Sequence, residues 1–190
     1  MYQQYRNYRI RSWQPQDRAA AAKVIETSLA EYGLGWEADG ADRDVLQVET
    51  YYLERGGEFW VIEADGSIVG TSAYQPYTDV AAKTANRGER AVEIRKMYLV
   101  PSARGQGLGR HLLGELERAI ESHGYHTIWI ETASILTEAV QLYEQNGYQP
   151  ATGVETPRCD RVYIKRLIAP NQIGTPHPQK RVADDTINKY

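Results

Sequence analysis

The sequence has a single cysteine, Cys159, among its 190 residues. This excludes an internal disulfide framework and a zinc site built from several cysteines. It also lacks any apolar run near the roughly 20 residues that span a bilayer, and its first residues have no apolar segment typical of a signal peptide. We therefore expect a cytoplasmic protein that does not enter a membrane.

An excess of positive charge is missing as well. Lysine and arginine number 22 against 25 aspartates and glutamates, so the formal net charge is −3. Because a nucleic-acid groove needs a concentrated basic face, no nucleic-acid partner is expected. The histidines show no spacing typical of metal ligands, and no metal is expected.

The remaining composition is that of one globular domain, with 42% hydrophobic and 25% charged residues. Periodicity predicts the element order β-α-α-β-β-β-α-β-α-β-β, which indicates a mixed α/β domain over residues 1–168. After this the apolar pattern fades and prolines appear. Residues 169–190 are therefore predicted to form a flexible tail.

Several local predictions can be compared directly with a structure. Asp65-Gly66 is the strongest hairpin signal in the chain. The pattern further predicts a first strand over 7–13, one helix from about Arg43 to Glu54, a loop over 77–90, and Ser134 as the cap of a short helix.

A glycine-rich segment lies between a predicted strand and the start of a predicted helix. Glycines let backbone approach a ligand closely, and the free N–H groups and positive dipole end of a helix suit phosphate. Two arginines can add charge-assisted hydrogen bonds. The predicted phosphate-binding residues are Arg104, Gly105, Gln106, Gly107, Leu108, Gly109 and Arg110.

Two common phosphate loops fit this segment poorly. A nucleotide P-loop requires Gly-Lys-Ser/Thr, which is absent here. A dinucleotide fingerprint that starts at Gly105 places the large Arg110 where a small residue is needed, although Glu131 does follow at a suitable distance. The hairpin signal in the first half of the chain further disfavours a doubly wound sheet.

Three features agree in order and spacing with one family. These are Arg104, Gly107 and Gly109 in the loop, the preceding strand 97–101, and the helix 139–148 with its Ala-x-x-Leu-Tyr pattern and Gly-Tyr ending. The segment from Glu93 to Tyr148 resembles the GNAT superfamily of N-acetyltransferases. The resemblance implies a single mixed, mostly antiparallel sheet flanked by helices, acetyl-CoA as the donor, an amine acceptor, and a possible homodimer.

The resemblance also implies catalytic roles. Glu93 is expected to take the proton of the amine, directly or through water, and Tyr143 to protonate the leaving thiolate. Backbone N–H groups near Met97 and Leu99 are expected to stabilise negative charge on the thioester oxygen. The structural alternatives are an ion pair of Glu93 with Arg95 or Lys96, and core packing of Tyr143.

The sequence does not identify the acceptor, because its candidate residues favour opposite charges. An acidic, aromatic rim would favour a cation, whereas arginines would favour a carboxylate. Cys159 is expected to be a small structural residue rather than an acyl-enzyme nucleophile, so transfer is direct. Candidates for acceptor contacts are the rim residues Trp36, Glu37, Asp39 and Asp42, together with Arg95, Arg158 and Asp160.

These features favour acetylation of a small primary amine, such as an amino acid or a polyamine-like compound. A lysine or N-terminus of a protein is the enzymatic alternative. The other alternative is a non-catalytic regulator that binds acyl-CoA. Leu136 supports it, since it stands where the family often has an asparagine that helps hold the cofactor.

Overall fold

Eight strands form one mixed sheet in a computed structural model that describes residues 2–77 and 90–167. The predicted tail and nearly all of the loop predicted over 77–90 lie outside these residues. The strands are β1 (Tyr2–Tyr5), β2 (Tyr8–Ser12), β3 (Glu58–Ala64), β4 (Ser67–Pro76), β5 (Ala91–Leu99), β6 (Thr127–Thr132), β7 (Gln149–Ala151) and β8 (Arg161–Arg166).

Four α-helices connect the strands within the same residues. They are α1 (Arg18–Ala30), α2 (Arg43–Leu46), α3 (Leu108–Ser122) and α4 (Thr137–Gln145). Short 3₁₀ turns precede α1 and follow β5, and a π-helical turn over Glu49–Leu53 follows α2. No helix among the described residues has the length and apolar character needed to cross a membrane.

The strand order is β1-β2-β3-β4-β5-β6-β8-β7. Every neighbouring pair is antiparallel except β5 with β6, which are parallel. This confirms the predicted single mixed and mostly antiparallel sheet flanked by helices.

The parallel pairing of β5 with β6 is short, and a gap between the two strands begins where it ends. β5 pairs with β6 only as far as Ile94 opposite Ile130. Further along β5, Thr71 lies opposite Tyr98 and Ala73 opposite Arg95, so β5 carries one extra residue in this stretch. Such a bulge bends the strand that contains it. β5 and β6 therefore diverge beyond Ile94 and leave a wedge between them.

Alternation along the strands sends side chains to two apolar layers. Trp60 and Ile62 of β3 pack with the buried leucines of α3 on one face. Phe59 and Val61 pack with Ile25 and other residues of α1 on the opposite face. Both helices lie against β4 and β5, which places the central strands and the wedge between two supporting layers.

In the first half of the chain one strand was missed and one prediction was wrong. The strand predicted over 7–13 is present as β2, but it is not the first: β1 precedes it and was not predicted, because its residues are polar or tyrosine and show no apolar pattern. The single helix predicted from Arg43 to Glu54 is interrupted at Gln47, which has a non-helical conformation. The Arg18 guanidinium donates to the carbonyl of Leu46 and so satisfies a group that a continuous helix would use.

The prediction for Ser134 was also wrong, whereas the hairpin turn is confirmed. Leu136 precedes the first residue of α4, and the Ser134 backbone and hydroxyl both donate to the Asp160 carboxylate at 2.6 Å. This holds Ser134 outside the helix. Asp65 and Gly66 form the turn between β3 and β4 with φ of 49° and 74°, a conformation that favours aspartate and glycine.

We predict that Gly57→Ala destabilises the fold by about 1–3 kcal/mol or more, the usual cost of overpacking. A Cβ at Gly57 would overlap the Tyr74 carbonyl oxygen and lie 3.0 Å from the Cα of Gln75. Thermal or denaturant unfolding measures the change. Gly35→Ala is the matched control, since no atom lies within 4 Å of its added Cβ. Equal stability of the two variants would contradict this packing argument.

Candidate active site

The glycine-rich segment forms a tight loop directly before α3. Gly105 and Gly107 have φ of 72° and 81°, in the left-handed region that favours glycine. The first hydrogen bond of the helix runs from the His111 N–H to the Gly107 carbonyl at 3.0 Å. The N–H groups of residues 108–110 therefore have no acceptor inside the helix, which is the arrangement that binds phosphate.

Tyr5, which no motif in the sequence singles out, holds this loop from the side. Its hydroxyl donates to the Gln106 carbonyl at 3.2 Å, and its ring stacks on His111 with centroids 4.3 Å apart. A Cβ at Gly107 would lie 2.9 Å from the Tyr5 hydroxyl oxygen. The N-terminal hairpin thus braces the loop, a contact between residues far apart in the chain.

The two arginines of the loop have partners within the protein. The Nε of Arg104 donates to the Leu99 carbonyl at 2.7 Å, and its other nitrogens donate to Glu31 at 2.8 and 3.0 Å. Arg110 donates to Gln145 at 3.1 Å. Arg104 therefore ties the loop to α1 and β5. Direct contact of either guanidinium with phosphate stays a prediction.

A cavity of about 650 Å³, counting its open mouth, occupies the wedge between β5 and β6. Side chains from β5, α4 and the segment before β8 meet there. Among the predicted site residues it brings together Glu93, Arg95, Met97, Tyr143 and Arg158. Trp36, Leu99, Asp160 and the glycine-rich loop are not part of its lining.

Glu93 lies on β5 in the lining of this cavity with 7% of its surface exposed. Its Oε2 accepts hydrogen bonds from Arg95 at 3.0 Å and from Gln75 at 3.3 Å. The ion pair weighed as the structural alternative is therefore present, and Arg95 is the partner rather than Lys96. An ion pair and a role as base are compatible, because both contacts use the same oxygen atom.

Tyr143 reaches the cavity from α4. Its ring packs against Tyr148 and Tyr163 at centroid distances of 5.8 and 6.1 Å, so it also contributes to the core. Burial raises the pKa of Tyr143 above its ordinary value, and the nearby Tyr98 raises it further. Within residues 2–77 and 90–167 no protein group hydrogen-bonds its hydroxyl. The group is thus protonated at neutral pH and available to a ligand.

A network of buried charges forms one wall of the cavity. Asp42, which is 0% exposed, accepts two hydrogen bonds from Arg158, both at 2.6 Å, and one from Lys96 at 2.7 Å. Burial alone would raise the pKa of Asp42, but its bonds with Arg158 and Lys96 outweigh this and lower it to about 2. Arg95 donates to Asp44 at 3.2 Å as well as to Glu93.

These contacts change the predicted picture of the acceptor rim. Asp42 is an internal partner of two cations rather than an exposed rim residue. Trp36 packs against the apolar layer beside α1, and Asp160 is bonded to Ser134 on the surface. Contact of Trp36, Arg95, Arg158 or Asp160 with an acceptor stays a prediction, but the structure gives each of them another role.

Two further cavity residues, Cys159 and Glu131, have roles within the protein. Burial, followed by the charge of Glu131, raises the pKa of the half-buried Cys159 thiol to about 11. A protonated thiol is a poor nucleophile, which supports the structural interpretation of Cys159. Glu131 accepts hydrogen bonds from the backbone N–H groups of Glu155 and Thr156 at 3.0 and 2.8 Å, and so fixes the segment before β8.

Residues 21–148 match the model of the acetyltransferase (GNAT) family. The chain belongs to this family. The loop before α3 and the wedge between β5 and β6 are therefore parts of an N-acetyltransferase. The cytoplasmic location and the homodimer stay predictions.

Individual relatives agree with this assignment. The chain is 34% identical over 139 residues to the uncharacterised N-acetyltransferase YjgM of Escherichia coli (strain K12), covering 70% of this chain and 77% of YjgM. It is 31% identical over 129 residues to an N-acetylaspartate synthetase of Xenopus tropicalis, covering 65% of this chain. It spans only 44% of the length of the Xenopus protein.

Solved structures share the fold. An acetyltransferase of the GNAT family from Staphylococcus aureus Mu50 superposes with a TM-score of 0.74 at 18% identity, covering 85% of this chain and 99% of that one. The protein yncA from Salmonella typhimurium, solved with its cofactor acetyl-CoA, gives a TM-score of 0.65 at 20% identity. That match covers 90% of this chain and 99% of yncA.

We predict that Gly107→Ala raises the dissociation constant for acetyl-CoA by about tenfold or more, since a side chain at positive φ strains the loop and crowds Tyr5. Isothermal titration calorimetry measures this. Gly66→Ala is the matched control, because Gly66 also has a positive φ of 74° but lies in the β3–β4 turn with no atom near the added Cβ. A folded Gly107→Ala protein with wild-type affinity would refute the assignment of the loop.

Proposed function

We propose that this acetyltransferase moves the acetyl group of acetyl-CoA directly to the primary amine of a small molecule. The observation that carries the proposal is the meeting of Glu93 and Tyr143 in one cavity. Glu93 comes from β5 and Tyr143 from α4, and both line the cavity that lies where the pairing of β5 with β6 ends. A group able to take a proton and a group able to give one therefore face the same space.

The residues present fit the donor. The free N–H groups at the start of α3 and the left-handed Gly105 and Gly107 suit the pyrophosphate of acetyl-CoA. The backbone of Met97 and Leu99 belongs to the end of β5 that leads into this loop. Leu136 also lines the cavity, so an apolar contact takes the place of the asparagine contact common in the family. The bound donor supplies an acetyl thioester, which a neutral amine attacks.

The charges around the cavity support an amine as the acceptor. Among the described residues, two carboxylates line the cavity and two more bind cations of its lining, against three cations. The carboxylates are Glu93, Glu131, Asp42 and Asp44, and the cations are Arg95, Lys96 and Arg158. The cations are engaged by Glu93, Asp44 and Asp42. A small excess of negative charge raises the local concentration of an ammonium group.

Glu93 has the task of removing a proton. A primary amine with a pKa near 10.4 is neutral in roughly one molecule in a few thousand at pH 7. Glu93 is the better placed of the two glutamates in the lining, since both Glu131 oxygens accept backbone N–H groups. Its Oε1 is the atom that accepts the proton, because Oε2 binds Arg95 and Gln75.

Tyr143 has the task of stabilising the leaving sulfur. Its high pKa keeps the hydroxyl protonated over the whole working pH range. The same apolar surroundings raise the pKa of a thiol, as they do for Cys159. Burial raises the pKa of the hydroxyl and of the sulfur alike, so the hydroxyl stays neutral and can donate a hydrogen bond, and then its proton, to the leaving thiolate.

A thiol-release assay with acetyl-CoA and a panel of amines tests the function. The panel contains n-pentylamine, ε-aminocaproate, cadaverine, lysine and a peptide with a free N-terminus and a lysine. Turnover of one or more small amines supports the proposal. Turnover of the peptide alone would move the acceptor to proteins. Calorimetric binding of acetyl-CoA without turnover of any amine would favour the non-catalytic regulator.

We predict that Tyr143→Phe lowers kcat by about 10²–10⁴-fold with little change in acetyl-CoA affinity. The ring keeps its packing and only the hydroxyl is lost. Tyr148→Phe is the control, because it removes a hydroxyl from the neighbouring ring, which does not line the cavity. Near-full turnover of Tyr143→Phe, with chemistry rate-limiting, would make the hydroxyl structural.

We predict that the loss of activity in Glu93→Gln, relative to the wild type, is largest at low pH, where the amine is most protonated. The loss should shrink as the pH approaches the pKa of the amine. A pH profile of kcat/KM measures it. Glu63→Gln provides the comparison, since it removes another glutamate that pairs with an arginine, Arg11, outside the cavity. A loss of the same factor at every pH would mean that Glu93 only positions Arg95.

A further inference from the structure

Asp42 joins three separate parts of the chain at the cavity. It lies in the segment between α1 and α2, where the Glu37 N–H also donates to it at 3.0 Å. Lys96 stands at the bulge of β5, and Arg158 in the segment before β8. Since Asp42 is 0% exposed, its whole carboxylate is used within the protein.

The two cations are held firmly by this carboxylate. Both nitrogens at the end of Arg158 point to the two oxygens of Asp42, a bidentate geometry that occupies the fork of the guanidinium. Lys96 Nζ donates to Asp42 and to the Ala41 carbonyl, each at 2.7 Å, and lies 3.2 Å from Asp44. Lys96 therefore has a second carboxylate, whereas Asp42 is the carboxylate that Arg158 contacts in the described structure.

The third cation is also neutralised. Arg95 divides its guanidinium between Asp44 and Glu93. The cavity wall thus contains three cations, yet each is paired with an aspartate or glutamate. An acceptor that carries a carboxylate beside its amine would have to compete with these buried pairs, and its own charge would add to an existing excess of carboxylates.

We propose that Asp42 is a positioning residue that sets acceptor specificity, because it holds Arg158 and Lys96 so that the cavity favours amines without a carboxylate. The inference rests on the proposed function and narrows it: alkylamines and polyamine-like compounds are the substrate class, and amino acids are disfavoured. Asp42 acts through Arg158 and Lys96 and does not touch the reacting atoms.

The wild-type protein gives the first test. n-Pentylamine and ε-aminocaproate are primary amines that differ in a terminal carboxylate, and kcat/KM is measured for each. The proposal requires a higher value for n-pentylamine. Equal values, or a preference for ε-aminocaproate, would overturn it without any variant. If the wild type turns over no amine at all, the proposed function fails, which is a different result.

Asp42→Asn is the second test. The asparagine keeps the shape of the side chain but releases the Arg158 guanidinium, which can then bind the carboxylate of ε-aminocaproate. The ratio of kcat/KM for ε-aminocaproate to that for n-pentylamine should rise by about tenfold or more, the scale expected for one released charge in a partly buried site. The dissociation constant for acetyl-CoA should not change. Asp65→Asn, the same substitution at an exposed turn, should leave the ratio as it is.

A double variant separates charge from structure. In Asp42→Asn/Arg158→Gln no free guanidinium remains, so the ratio should return close to that of the wild type. An unchanged ratio in folded Asp42→Asn would overturn the proposal. So would an equal loss with both amines that the double variant does not reverse, accompanied by weaker acetyl-CoA binding, since that pattern indicates a structural role alone. If Asp42→Asn fails to fold, the wild-type preference decides.

Discussion

The bulge at Lys96 is the constraint on which the site depends, since β5 pairs with β4 on both sides of it but pairs with β6 only as far as Ile94. Lys96 has a φ of 52°, a conformation that costs a non-glycine residue of order 1 kcal/mol or more and persists only where its surroundings impose it. Thr71 donates to its carbonyl at 2.7 Å, and Asp42 binds its ammonium group. The residue at the bulge beside the cavity is therefore also bound by a buried carboxylate of the cavity wall.

The glycine-rich loop and the charged network around Asp42 rest on different kinds of interaction, which explains how much of each the sequence could predict. The glycine-rich loop is a continuous segment whose glycines and helix start act locally, so its place directly before a helix could be predicted from the sequence. Asp42 meets Lys96 across 54 positions and Arg158 across 116. No spacing rule connects such residues, and Arg158 and Asp42 were therefore assigned to an acceptor instead of to each other.

The fold shows the same division. Helices and strands with strong apolar periodicity, such as α3 and β6, were placed correctly, because burial of one face determines them. β1 was missed because its tyrosines and glutamines carry no such pattern, and its position depends on pairing with β2 and on contact of Tyr5 with the glycine-rich loop. The break at Gln47 depends on Arg18, which belongs to another helix.

Stability alone does not account for the charged wall. Taking ions out of water is costly, and buried ion pairs often add no more stability than apolar side chains of similar size. Removing one partner, however, leaves an uncompensated charge at the surface of the cavity. The pairs centred on Asp42 and Asp44 therefore add carboxylates that do not line the cavity to its charge balance, beside Glu93, which does line it. The charge around this cavity is therefore a property of the network of ion pairs rather than of any single lining residue.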